Sequence, residues 1–93
     1  MNDESILTIL KIDVQISSDA YDEYLNTLIT FSKKAIKTEG IILDDSTDDG
    51  MLVEMYAAYL YRKRKGESVV MPRSLRYLLN NRLMSQKAGN KNG

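Results

Sequence analysis

The 93-residue chain contains no cysteine, no histidine and no tryptophan. Each absence removes a class of chemistry. Without thiolate or imidazole there is no zinc-finger-type metal site, no disulfide framework, and no Ser-His or Cys-His catalytic pair. The lack of cysteine gives no sign of an oxidising compartment and fits an intracellular protein. Proline occurs once, at Pro72, and the glycines lie far apart at Gly40, Gly50, Gly66, Gly89 and Gly93. They form no phosphate-cradling motif. No apolar run approaches the roughly 20 residues that span a bilayer. The start, Met1-Asn2-Asp3-Glu4, is acidic where a secretory signal is basic. No membrane partner is expected.

What is present is enough for one core and no more. The hydrophobic fraction of 43% is ordinary for a globular domain. The formal charge of zero conceals a division. Residues 1–50 carry eleven acids and four bases, a net of −7. Residues 51–93 carry two acids and nine bases, a net of +7. Halves of opposite sign suggest docking on nucleic acid, on another protein or on a copy of the same chain.

Helical periodicity dominates, so an all-α bundle of about four helices is predicted. The first covers residues 4–11, with Asp3 as N-cap and Ile6, Leu7 and Leu10 on one face. Residues 11–17 read as an extended connection whose Ile12, Val14 and Ile16 enter the core. The second and longest helix covers residues 18–39. Ser17 or Ser18 caps it, and Tyr21, Tyr24, Leu25, Leu28, Phe31, Ser32, Ala35 and Ile36 form its inner stripe. Gly40 ends it.

A connection at 41–47 leads to a third helix at 48–65. From Met51 to Tyr61 every residue but Glu54 is apolar or aromatic, so this helix is central. Core packing explains its tyrosines better than a binding box. Gly66 ends it, and a loop at 67–71 follows. Pro72 opens a fourth helix at 72–85, with Leu75, Leu78, Leu79 and Leu83 inward. The domain spans 1–85, and the polar segment 86–93 reads as a flexible tail.

Few residues point to chemistry. Asp44, Asp45, Asp48 and Asp49 fail the EF-hand pattern, because position six from Asp44 is Asp49 and position twelve is Met55. A solvated loop and a negatively charged helix start explain them better. A glycosidase-like carboxylate pair has nothing to favour it, and no metal or other cofactor is expected. The run Arg62-Lys63-Arg64-Lys65 exceeds what a helix C-terminus needs, and its members point around the whole helix. Arg73, Arg76 and Asn80 add a polar stripe to the fourth helix.

These bases suit phosphate contact, but the zero net charge argues against a simple DNA-binding module. Pairing between copies is the alternative. The candidate basic surface is Arg62, Lys63, Arg64, Lys65, Arg73 and Arg76, at a subunit interface or in a DNA channel. The candidate acidic surface is Asp19, Asp22, Glu23, Asp44, Asp45, Asp48 and Asp49. Opposite patches on one subunit give a head-to-tail contact, which closes into a ring when the rotation per copy divides a full turn.

Four segments resemble a known family. They are Leu10-Lys11-Ile12-Asp13; Asp19-Ala20-Tyr21-Asp22-Glu23-Tyr24-Leu25; Met55-Tyr56-Ala57-Ala58-Tyr59-Leu60-Tyr61-Arg62-Lys63-Arg64; and Met71-Pro72-Arg73-Ser74-Leu75-Arg76-Tyr77 with Asn80-Asn81-Arg82-Leu83. Together they resemble the small head–tail connector proteins of long-tailed double-stranded DNA bacteriophages, also described as DNA-packaging proteins. The resemblance covers residues 6–85 and carries no catalytic signature.

It implies a helical subunit, in a phage or prophage, that assembles as a ring of about twelve copies below the portal. The ring extends the DNA channel and meets the next connector or tail protein. DNA passes without sequence-specific binding. The implied location is the virion head–tail junction, with assembly in the host cytoplasm. Family members often grip the portal with a C-terminal extension, whereas here the segment after Ser85 is short. No enzymatic activity is implied. The alternative is a small helical nucleic-acid-binding or regulatory protein of a prophage.

Overall fold

A computed structural model describes residues 1–67 and 70–90 of the chain. The described residues form an all-α bundle: α1 (Asp3–Asp13), a single 3-10 turn (Asp19–Tyr21), α2 (Asp22–Thr38), α3 (Thr47–Arg64) and α4 (Arg73–Asn90). The predicted class and the order of helices are found.

The helix starts follow side-chain capping. Asn2, rather than Asp3, caps α1: its Oδ1 accepts from the Ser5 N–H at 2.8 Å. Ser18 Oγ accepts from the Ala20 N–H at 3.0 Å, so it caps the 3-10 turn. Because that turn stands apart from the helix after it, α2 has 17 residues, one fewer than α3 or α4. The second helix is therefore not the longest. Ser46 caps α3 by accepting from the Asp49 N–H at 3.1 Å.

Three helices end in the same way. The N–H two residues past the cap donates five residues back: Ile16 to the Lys11 carbonyl at 2.9 Å, Ile41 to Ile36 at 3.4 Å, Glu67 to Arg62 at 2.9 Å. The residue before each donor has a positive φ, at Gln15 (61°), Gly40 (100°) and Gly66 (76°). This is the Schellman end, which favours glycine because a Cβ crowds the backbone there. Gln15 adopts it without that freedom.

The end at Gln15 corrects the reading of residues 11–17. Residues 11–13 continue α1 instead of forming an extended connection. In a helix Ile12 lies two residues, about 200°, from the buried Leu10. It is thus 73% exposed, while Val14 and Ile16 still pack against the core.

The centre is the antiparallel pair α2 and α3. Leu25, Leu28, Ile29, Ser32 and Ile36 meet Leu52, Val53, Ala57, Ala58, Tyr59 and Tyr61, and Ile6 and Leu10 of α1 lie across both. The predicted stripe of α2 is rotated slightly: Ile29 is buried, whereas Tyr21 and Phe31 are 54% and 56% exposed. Ser32 is tolerated inside because its hydroxyl donates to the Leu28 carbonyl at 2.7 Å. Helix α3 is buried on most sides, as its apolar run predicts.

Helix α4 packs more lightly, through Leu75 and Leu79, with Leu83 half-buried and Leu78 exposed. It runs five residues beyond the predicted end at Ser85. Residues 86–90 are therefore helical and not a free tail, while 91–93 lie outside the described residues, as do 68 and 69 of the predicted loop. The extension is anchored by tertiary contacts. Gln86 Nε2 donates to the Gly40 carbonyl and its Oε1 accepts from the Ile42 N–H, both at 2.8 Å.

Candidate functional site

The predicted basic and acidic residues divide into two groups. One group is paired inside the chain. Arg62 Nη2 donates to Asp13 Oδ1 at 2.8 Å and to the Asp13 carbonyl at 3.1 Å. Arg76 grips both carboxylate oxygens of Glu39, at 2.8 and 3.0 Å. Lys11 bridges Asp22 (2.8 Å) and Asp19 (2.9 Å). Asp22 and then Asp19 raise the Lys11 pKa, and Lys11 in turn lowers that of Asp19. Asp44 Oδ1 accepts from the Ser46 N–H, and its carboxyl is held below its usual range mainly by that residue.

Asp49 is buried and takes two bonds from Arg82, Nε to Oδ1 at 2.7 Å and Nη2 to Oδ2 at 3.0 Å. Arg82, not among the predicted residues, also reaches the Ile42 carbonyl at 2.8 Å. Three bases of the positive half thus clasp carboxylates of the negative half within one subunit. Arg62, Arg76, Asp19, Asp22, Asp44 and Asp49 thus each have a charged partner within the same chain.

The second group makes no ion pair among the described residues: Lys63, Arg64, Lys65, Arg73, Glu23, Asp45 and Asp48. Three of the bases lie over tyrosine rings. Lys63 Nζ is 5.8 Å from the Tyr59 centroid, Arg64 Cζ 5.8 Å from Tyr24, and Lys65 Nζ 5.3 Å from Tyr61. The Tyr61 hydroxyl raises the Lys65 pKa. Such contacts orient the side chains and leave their charges in solvent.

Beside these bases, α2 and α3 leave a groove of about 540 Å³, lined by Leu28, Phe31, Ala35, Tyr56, Leu60, Lys63 and Arg64. No carboxylate lines it. A larger hollow of about 730 Å³ lies at the opposite end, around Met1, Asp3, Lys33 and Asp45. There Lys33 binds Asp3, and the Met1 amino group donates to the Asp45 backbone carbonyl, which leaves the Asp45 carboxylate outside that contact.

One titratable group was missed as a site. Glu54 is the sole charged residue in the apolar run of α3, and only 2% of it is exposed. No donor reaches its buried Oε2. Burial first, and the neighbouring Asp13 second, push its pKa up to about 8. Glu54 therefore holds its proton at neutral pH and donates to the Asp13 carboxylate. That bond, and then Arg62, lower the Asp13 pKa. The interruption at Glu54 was visible in the sequence. Its meeting with Asp13 depends on how α1 crosses α3.

Among the described residues no three carboxylates cluster as a metal site requires, and no helix is long and apolar enough to cross a membrane. Comparison with protein-family models, curated proteins and solved structures finds no match to this chain.

Proposed function

We propose that the chain is a structural subunit of a phage or prophage head–tail connector. It assembles in several copies, about twelve by family resemblance, into a ring below the portal. There it extends the DNA channel and joins the portal to the next connector or tail protein. The role is mechanical and not catalytic. The resemblance of residues 6–85 supplies the class. The observation that carries it is the surface left after internal pairing. Exposed Lys63, Arg64, Arg73, Asp45 and Asp48 have no ionic partner among the described residues, and large apolar side chains at Phe31, Ile42 and Tyr77 also stand in solvent. A surface of that kind suits contact with other subunits.

Light scattering over a range of concentrations, with and without a portal ring, tests this reading. Assembly to a discrete mass, alone or on the portal, is expected. A monomer under all these conditions overturns it.

The tyrosine-backed bases Lys63, Arg64 and Lys65 favour one second reading, a nucleic-acid-binding protein. It predicts a duplex shift that weakens steeply with salt. No shift at low salt removes it.

A further inference from the structure

Two exposed features of the subunit complement each other and cannot meet within one copy. The first is the α2–α3 groove, with Phe31 in its wall and Lys63 and Arg64 at its rim. The second is the connection before α3. Ile42 is 71% exposed there, and Asp45 and Asp48 follow it without ionic partners among the described residues. The connection is held in place, because the Ile42 N–H and carbonyl are both bound, by Gln86 and Arg82. A fixed segment loses less conformational entropy on docking than a free loop. The connection leads into the start of α3, while Lys63 and Arg64 close its far end. That helix has 18 residues, a length of about 27 Å. One chain cannot fold back over that distance to join the two.

We infer that the α2–α3 groove of one copy receives the connection at residues 42–48 of the next, with Ile42 against Phe31 and with Asp45 and Asp48 facing Lys63 and Arg64. The inference rests on the connector reading and names the contact through which its subunits associate. The contact is head-to-tail: the groove of each copy is filled and its connection is free to fill another. Such a contact propagates, and it closes as a ring when the rotation allows. The charges choose partner and register, and Ile42 supplies the apolar burial. The basic helix α4 does not suit the same groove, since it would bring Arg73, Arg76 and Arg82 toward Lys63 and Arg64.

The absence of cysteine makes the test clean. One batch of chain carries Ala35→Cys in the groove, and another carries Thr47→Cys beside the connection. They are mixed at high concentration and treated with a short bis-maleimide. The mixed dimer is expected to form in excess over that from Ala35→Cys mixed with Thr8→Cys, an exposed site on α1. Adding Ile42→Asp to the Thr47→Cys chain should lower the yield about tenfold, the scale of losing one buried isoleucine. Lys63→Glu with Arg64→Glu on the groove chain should lower it as well, and Asp45→Lys with Asp48→Lys on its partner should restore it.

Assembly of the unaltered chain, with no excess of mixed dimer or no effect of Ile42→Asp, overturns this contact and leaves the connector reading intact. No association of the unaltered chain, alone or beside a portal, overturns both. Circular dichroism of each variant identifies any that has lost its fold.

Discussion

Arg82 of α4 holds the buried carboxylate of Asp49 at the start of α3 with two hydrogen bonds, at 2.7 and 3.0 Å. The same guanidinium binds the Ile42 carbonyl, so one side chain fastens α4, α3 and the connection before α3. The Asp49 carboxylate also accepts from the Asp44 N–H at 2.8 Å. Helix α4 buries few large side chains, so this polar clasp carries an unusual share of its attachment.

Removing the clasp should therefore be costly. Arg82→Ala leaves Asp49 buried with its charge uncompensated, and a loss of about 2–3 kcal/mol is expected. For a domain of this size that lowers Tm by roughly 8–24 °C. Adding Asp49→Asn to Arg82→Ala should recover part of the loss, because the residue left behind is then neutral. Thermal melts followed by far-ultraviolet circular dichroism compare the three chains. A melt of Arg82→Ala equal to that of the parent would refute the clasp.

Glu54 gives the fold a pH dependence of known sign. Its folded pKa, about 8, lies above the ordinary value of 4.5, so the folded state holds a proton that the unfolded state has released. The stability this group contributes is complete below about pH 4.5. It declines as pH rises toward 8, by at most about 1.4 kcal/mol per pH unit. Asp13 acts oppositely: its lowered pKa contributes stability above its ordinary value of 3.8, which is lost on further acidification. Stability should peak in mild acid. Glu54→Gln keeps a donor toward Asp13 without a proton to lose, so urea titrations between pH 5 and about 9 should show a flatter profile. Parallel profiles for the two chains would exclude this role for Glu54.

The three Schellman ends predict opposite outcomes for opposite substitutions. Gln15→Gly places the preferred residue in a left-handed position and should stabilise by about 0.5–1 kcal/mol. Gly40→Ala imposes strain of about 1–2 kcal/mol. A Cβ there would lie 3.6 Å from Leu83 Cδ1, an ordinary contact, so conformation and not collision sets that cost. Chemical denaturation of both variants measures the two signs. A gain on Gly40→Ala would contradict the assigned backbone.

Gln86 tests the long form of α4. Gln86→Ala removes both bonds to residues 40 and 42, a loss of about 1–2 kcal/mol. Amide exchange at Ile42 should quicken clearly, while exchange at Leu28, in the α2 core, should rise only with global stability. Unchanged protection at Ile42 would mean that Gln86 does not hold the connection.

Much of this architecture was legible in one dimension. The three- and four-residue spacing of apolar side chains marks four helices, because a helix must turn a continuous stripe toward the core. Gly40 and Gly66 mark two ends, because few residues adopt a positive φ at low cost. The apolar run of α3, interrupted only at Glu54, marks the central helix. The end of α1 was misread because Lys11 to Ser17 alternates like a strand, and Gln15 takes a backbone shape that nothing in its side chain announces. The end of α4 was missed because the polar residues after Ser85 have no hydrophobic reason to stay helical. What holds Gln86 is the backbone of residues 40 and 42, more than forty positions away.

The charged surface was the least legible part. Counting signs along the chain separates a negative half from a positive half, and that division is a property of the sequence alone. It cannot say which charges are left for a partner, since Coulomb attraction acts through space. The tertiary structure decides that Arg62 meets Asp13, Arg76 meets Glu39 and Arg82 meets Asp49. It also decides that Glu54 meets Asp13, and that Lys63, Arg64, Asp45 and Asp48 remain unpaired among the described residues. The helices follow from local periodicity and caps. The surface follows from which helix ends the packing brings together.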